Sequence, residues 1–239
     1  MLQNINIRQI LFIDIETVPQ YPSYNLLPPK MQKLWEHKAK FISRSNETVT
    51  EAYERAGIYA EFGKVICVSL GFVSTEDGEH LRIKSIADKD EKVVLNELAN
   101  LLRNYFNGPH SFLGGHNIKE FDIPFLCRRM LINGIKLPAI IDLSGKKPWE
   151  VNHIDTMQLW KFGDYKNYTS LKLLAEIFGL KSPKEDIDGS DVARVYWQDD
   201  DLQRIAKYCC NDVITVVQLL QTMKGNKPYA KNKIVVVEE

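Results

Sequence analysis

Asp14-Ile15-Glu16 follows the apolar run Ile10-Leu11-Phe12-Ile13, so two carboxylates stand where a buried strand should run out toward solvent. Residues two apart on a strand share a face, which turns Asp14 and Glu16 one way and Ile13 and Ile15 the other. Two like charges side by side repel, and one carboxylate then tends to hold its proton at neutral pH unless a cation sits between them. A divalent ion removes that conflict. The plain alternative is a strand fraying into a polar loop, since short motifs carry a false-positive risk.

Two further segments bring acids of the same kind. Gly114-Gly115 closes a short apolar run and His116-Asn117-Ile118-Lys119-Glu120-Phe121-Asp122 follows it, so Asp122 is expected near a helix start, beside the mouth of the first strand. Helix capping explains the same residue, because Asp is favoured at helix N-termini and Pro124 suits a first turn. In Tyr208-Cys209-Cys210-Asn211-Asp212 the four-residue spacing sets Tyr208 and Asp212 on one helical face. An amphipathic helix with a polar edge is the competing reading. Carboxylates gathered in one place suit Mg²⁺ or Mn²⁺ rather than softer ions, and the lack of a Cys/His cluster argues against structural zinc.

The elements that must carry these residues follow from apolar patterning. After the first strand, Pro19, Pro22, Pro28 and Pro29 mark turns and the stretches 31–40 and 47–56 look helical, so 19–63 reads as an insertion between strands. Residues 64–73 form a second strand, and Asp77-Gly78 predicts a hairpin to a third at 81–86. A helical stripe covers 92–106, a short strand 112–115, and a helix 123–133 closed by Gly134. A short strand or turn at His153 continues into 154–159, and helices follow at 170–178, closed by Gly179, and at 201–223. The tail, 224–239, mixes Lys, Gly and Pro before Val235-Val236-Val237. Strand, hairpin, helix, short strand and then helices predict a mixed sheet with helices packed on it.

Bulk properties narrow the class. The 239 residues suit one domain with a sizeable core, and 44% hydrophobic with 26% charged residues is ordinary for a folded soluble protein. Lys+Arg and Asp+Glu both number 31, so nothing global points to a polyanion or a membrane surface, and a nucleic-acid site would have to be local. Cys67, Cys127, Cys209 and Cys210 lack a paired metal spacing and read as reduced core thiols. No charged leader precedes an apolar core and no apolar run reaches membrane length, which fits a cytoplasmic protein.

Taken together, the acids resemble the DEDD exonuclease superfamily. Asp14-Ile15-Glu16-Thr17 is similar to its first motif, Asn117 to Asp122 to its second, and Tyr208 with Asp212 to its third, the tyrosine selecting the DEDDy branch. Phe12-Ile13-Asp14-Ile15-Glu16-Thr17, Gly115-His116-Asn117-Ile118 and Phe121-Asp122-Ile123-Pro124-Phe125-Leu126 most resemble the 3′-5′ exonuclease domain of family B DNA polymerases. His153-Ile154-Asp155-Thr156-Met157 and Ser170-Leu171-Lys172 look like its connecting segments, and the likeness runs from about Arg8 to Leu220. It implies a ribonuclease H-like α/β fold: a mixed five-stranded sheet flanked by helices, with a helical insertion after the first strand. It also implies a single exonuclease domain over 1–223 with 224–239 as a tail, standing alone because no room remains for a polymerase domain.

The implied chemistry is two-metal phosphodiester hydrolysis at 3′ ends of DNA, single-stranded or frayed, releasing nucleoside 5′-monophosphates. By resemblance Asp14 bridges both ions, Glu16 and Asp212 hold the ion on the nucleophile side, and Asp122 holds the other. Tyr208 orients the attacking water, since tyrosine's ordinary pKa near 10 makes a phenol a poor base at pH 7. Thr17, through its backbone N–H, Asn117 and Phe121 face the terminal nucleotide, although Phe121 also suits a core role. Lys119, Lys161, Lys166 and Lys172 are candidate phosphate contacts or simply solvated side chains. Asp155 and Asp164 match no ligand position and read as solvated loop acids, and His116 reads as a packing or hydrogen-bonding residue. Trp35, Phe41 and Tyr53 in the insertion suit a lid or stacking platform, or an outer structural layer. Two rivals remain: a ribonuclease D-like exoribonuclease, since a two-metal site does not itself distinguish sugars, and a non-catalytic nucleic-acid-binding module of the same fold.

Overall fold

The run Ile10-Leu11-Phe12-Ile13 is apolar on both faces because the strand it forms, β1 (Ile10–Pro19), is covered on both. The computed structural model describes residues 2–76, 78–164, 166, 168–180 and 187–237. Within them β2 (Gly63–Ser74) and β3 (His80–Ala87) form an antiparallel hairpin beside β1, with β2 paired along β1 from Leu11 to Pro19. Of the hairpin turn, Asp77 lies outside the described residues, while Gly78 holds φ at +96°. On the other side β4 (Phe112–Gly115) runs parallel to β1, and β5 (Ile154–Asp155) parallel to β4. The strand order is β5-β4-β1-β2-β3-β6.

The last strand, β6 (Ile234–Val236), corrects the five-stranded expectation to six. It lies parallel to β3 at the sheet edge, Ile234 opposite Leu81. A three-residue strand with two exposed valines has neither the length nor the buried face that makes a strand legible from sequence.

Odd-numbered Leu11, Ile13 and Ile15 of β1 pack against α3 (Glu91–Tyr105) and α4 (Asp122–Ile132). Even-numbered Ile10 and Phe12 pack against the long helix α8 (Leu202–Met223) on the opposite face. The helix sits close: a Cβ on Gly71 of β2 would lie 2.6 Å from Val213 Cγ1, so a side chain there would push α8 off the sheet. Asp14 and Glu16, being even-numbered, fall on the α8 face. α8 opens under an Asp201 cap that accepts from the Arg204 N–H at 3.0 Å.

The insertion contains α1 (Pro29–Ile42) and a short α2 (Val49–Tyr53), which opens with a capping box between Thr48 and Glu51. α1 and α2 close on a core of their own. Trp35 is fully buried, its ring 5.3 Å from Tyr53 and 5.0 Å from Phe62, and its Nε1–H donates to Val49 O. Tyr53 is buried as well, so the structural-layer reading holds for both residues and the stacking platform fails for them; Phe41 alone of the three is exposed.

The remaining helices are α5 (Thr156–Lys161), α6 (Leu171–Ile177) and α7 (Val192–Arg194), the last running into a π-turn at Val195–Asp199 before α8. Among the described residues no helix is long and apolar enough to cross a membrane.

Candidate active site

β1 carries the Asp14 carboxyl to the side of α8. Cys209 Sγ lies 3.3 Å from Asp14 Oδ2 and 3.4 Å from Asp14 O, so the thiol donates to the carboxylate it faces. Glu16 follows on the same face, opposite Cys67 of β2, and the pairing register slips between Glu16 and Thr17. Such a bulge re-aims the side chains next to it. Asp14, Glu16 and Cys209 each offer an atom, all within 4.8 Å of one another, as possible metal donors.

Asp122 arrives from the far side of β1. It is the first residue of α4, yet the N-cap position is Phe121, which makes no side-chain cap. The Asp122 carboxylate reaches instead to the backbone of β1, Oδ1 accepting from the Ile15 N–H at 3.2 Å, between the two acids of the first strand. Asp212 sits one helical turn beyond Tyr208 on α8, half-buried, and its charge presses on both Asp14 and Glu16. Tyr208 packs against the apolar cluster that includes Val18, Cys67 and Cys209.

The electrostatics follow from this crowding. Burial pushes Asp14 well above the usual carboxylate range, with repulsion from Asp122 and Asp212 adding to it and the Cys209 hydrogen bond opposing. Glu16 is raised by burial first and then by Asp14 and Asp212. Asp122 is pushed up to about 7, chiefly by burial, with Asp155 adding repulsion and backbone N–H groups opposing. Among the described residues no cationic side chain figures among the groups that bias these three acids. An acidic pocket of this kind fits divalent cations held by oxygen ligands.

The other expected residues are placed as follows. Asn117 takes the left-handed conformation, φ +66°, which Asn tolerates better than most residues. It turns the chain from β4 into the loop leading to Asp122. Phe121 is half-buried against the α3–α4 core, 5.5 Å from the Phe125 ring, and Thr17 is half-buried just past the bulge. His116 is fixed at both ring nitrogens, by Thr156 Oγ1 at 2.9 Å and Thr169 O at 2.8 Å, as a packing residue would be. Lys119 donates to Val151 O, Lys161 lies over the Tyr168 ring, and Lys166 and Lys172 are exposed.

Asp155 overturns the reading of a solvated loop acid. It is 2% exposed and accepts four backbone N–H groups, those of Asn117, Lys119, Met157 and Gln158. One carboxylate thus caps α5 and shapes the loop in front of Asp122. The signal for the cap was present, an Asp just before a helical run, but the loop across the sheet has no local trace. Asp164 is exposed as expected. Cys209 reads as core in the sequence, where only its place next to Tyr208 points toward the pocket. All four cysteines are free thiols, in line with the reduced reading.

The family of predicted 3′-5′ exonucleases related to the exonuclease domain of PolB matches residues 58–226. That span takes in Asp122, Tyr208 and Asp212 and opens after Asp14 and Glu16. The family B DNA polymerase from the hyperthermophilic archaeon Pyrobaculum calidifontis is similar in structure, with a TM-score of 0.59 and 17% identity. The likeness covers 90% of this chain and 24% of the polymerase, so the chain spans about a quarter of that protein's length. At this identity it speaks for the fold: a mixed sheet with flanking helices, of the ribonuclease H-like kind.

Proposed function

The chain belongs to the family of predicted 3′-5′ exonucleases related to the exonuclease domain of PolB, and from that premise we propose that it is a metal-dependent 3′-5′ exonuclease of the DEDDy type acting on DNA in the cytoplasm as a single catalytic domain. The observation that carries this reading is the pocket in which Asp14, Glu16 and Asp122 crowd one another and Asp212, so that each of the three is pushed above the ordinary carboxylate range. Asp14, Glu16, Asp122 and Asp212 would hold two divalent ions, Mg²⁺ or Mn²⁺. When bound, such ions lower the pKa of water and neutralise charge that builds on the phosphoryl oxygens.

The chain's own residues do the rest. Cys209 keeps the Asp14 carboxylate turned toward the pocket, and the Ile15 N–H does the same for Asp122. Tyr208 orients the attacking water, which leaves the leaving 3′-oxygen to depart in line. Asn117, Phe121 and the Thr17 backbone seat the terminal nucleotide, single-stranded or frayed, and the product is a nucleoside 5′-monophosphate.

The test is cleavage of a 5′-labelled single strand with Mn²⁺ or Mg²⁺, run on DNA and RNA oligomers of one sequence. The reading expects stepwise shortening from the 3′ end of DNA, abolished by EDTA. It fails if Asp14→Ala or Asp212→Ala cleaves like the wild type, or if the strand is bound in Mn²⁺ and never cut. Faster cleavage of RNA would overturn the DNA assignment alone.

A further inference from the structure

Phe162 ends α5 in the left-handed conformation, φ +45° and ψ +33°, a place that helices usually give to glycine. The residue after it, Gly163, also has positive φ. A bulky aromatic held there costs on the order of 1–3 kcal/mol. The ring is 78% exposed and belongs to none of the four apolar clusters among the described residues, so no burial offsets that cost.

Next to it along the chain, Lys161 is nearly buried, with its ammonium 4.3 Å from the centre of the Tyr168 ring. Tyr168 is 66% exposed, so a ring polarised by the lysine that precedes Phe162 in the chain stands open to solvent. The segment is anchored to the loop before Asp122 at two points. Tyr168 Oη donates to Glu120 Oε2 at 2.6 Å, and Thr169 O faces His116 Nε2 at 2.8 Å. Glu120 is two residues from Asp122 in sequence, so Tyr168 is tied to the loop that leads to that acid.

We propose that Phe162 and Tyr168 form a stacking platform for single-stranded nucleic acid, holding bases of the substrate strand upstream of its terminal nucleotide. The proposal rests on the exonuclease reading above for the identity of the strand. Exposed rings beside a lysine suit bases of any sequence, because every base offers a π-face and base–aromatic stacking contributes about 1–3 kcal/mol per base. An exposed phenylalanine held where glycine would fold more easily points to a use for its ring.

The experiment pairs Phe162→Gly with Tyr168→Ala. Binding of fluorescein-labelled dT15 and rU15 is read by anisotropy in Ca²⁺, and hydrolysis of dT15 is compared with that of the p-nitrophenyl ester of thymidine 5′-monophosphate, which carries no upstream bases. Each variant is expected to bind both oligomers about tenfold more weakly and to lose selectivity for dT15 over the ester by a similar factor. Phe162→Gly is expected to melt at the same temperature as the wild type or higher, because glycine accepts the left-handed conformation. Unchanged binding in both variants, a loss confined to one sugar type, or a parallel loss on strand and ester would overturn the platform. If the wild type cuts neither strand nor ester in Mn²⁺, the exonuclease reading falls, while the anisotropy arm still decides the platform.

Discussion

Two groups of carboxylates at the sheet are treated in opposite ways. On the α3–α4 face, Glu91 is enclosed by partners: Arg129 Nε at 2.8 Å and Nη2 at 2.5 Å, the Asn133 amide at 2.9 Å and the Val65 N–H at 2.7 Å. Arg129 in turn donates to Ala60 O, so one ion pair joins α3, α4, β2 and the end of the insertion. Asp14, half-buried, and Glu16, buried, point to the α8 face, where Asp122 reaches in from the start of α4 at the edge of β1, and the three receive a thiol and a few backbone N–H groups. The first arrangement completes itself within the chain and serves the fold. The second crowds acids so that each is pushed above the ordinary carboxylate range, which suits a cation-binding site and which a structural site avoids.

The contrast is broken most severely at Asp14. Asp14→Asn is expected to lower strand cleavage by at least about a thousandfold, or about 4 kcal/mol at 1.4 kcal/mol per decade, measured under single-turnover conditions. The same change should raise the metal-free unfolding free energy by about 1 kcal/mol, since it removes one of several repelling charges. Loss of stability instead would mean that Asp14 serves the fold as Glu91 does.

Arg129→Ala tests the other side. It strands Glu91 as a lone buried charge and is expected to cost about 3 kcal/mol in urea unfolding, with cleavage per folded molecule unchanged. Replacing both partners by Met and Gln should recover most of that loss, because the pair is removed together with its desolvation cost.

The pH dependence of the metal-free protein sharpens the comparison further. Asp122 is pushed up to about 7 in the folded state, above the ordinary carboxylate value near 3.9, so the folded chain keeps a proton that the unfolded chain has released. Stability from this group is fully present below about pH 4 and is lost as pH rises toward 7, by on the order of 4 kcal/mol. Asp14 and Glu16 are shifted the same way and act in the same direction. Urea titrations at pH 5 and pH 7.5 in EDTA should show the loss. Asp122→Asn should flatten the profile, and a profile that rises with pH instead would sink the repulsion argument.

The smallest effect is expected at Asp155. Asp155→Asn keeps the shape but turns one amide N–H toward a backbone donor, loosening the loop before Asp122. Cleavage should fall about tenfold, with the ester and the strand affected alike. If only stability moves, Asp155 merely caps α5.

What was legible in the sequence was whatever repeats along the chain. The period-two alternation of β1 put Asp14 and Glu16 on one face, and the four-residue spacing on α8 put Tyr208 with Asp212. What stayed hidden depends on approach through space. The Asp122 bond to Ile15 and the Asp155 bonds to Asn117 and Lys119 span 107, 38 and 36 residues. Cys209 reads as core until its neighbour across the sheet is known. Trp35 and Tyr53 carry aromatic area that suits either stacking or burial, and only the closure of α1 on α2 decides between them.

The pairing of β4 with β1 stops at Phe12, whereas β2 continues alongside to Pro19, so the central strand is hemmed on one side and released on the other. Asp122 takes the Ile15 N–H on the released side. That amide is therefore guarded by a side chain from another element rather than by a neighbouring strand. Its proton should exchange with solvent deuterium whenever α4 lifts, while the Leu11 and Ile13 amides wait for the sheet itself to open. A single peptide hydrogen thus keeps time for the assembly of the pocket, apart from the clock of global unfolding.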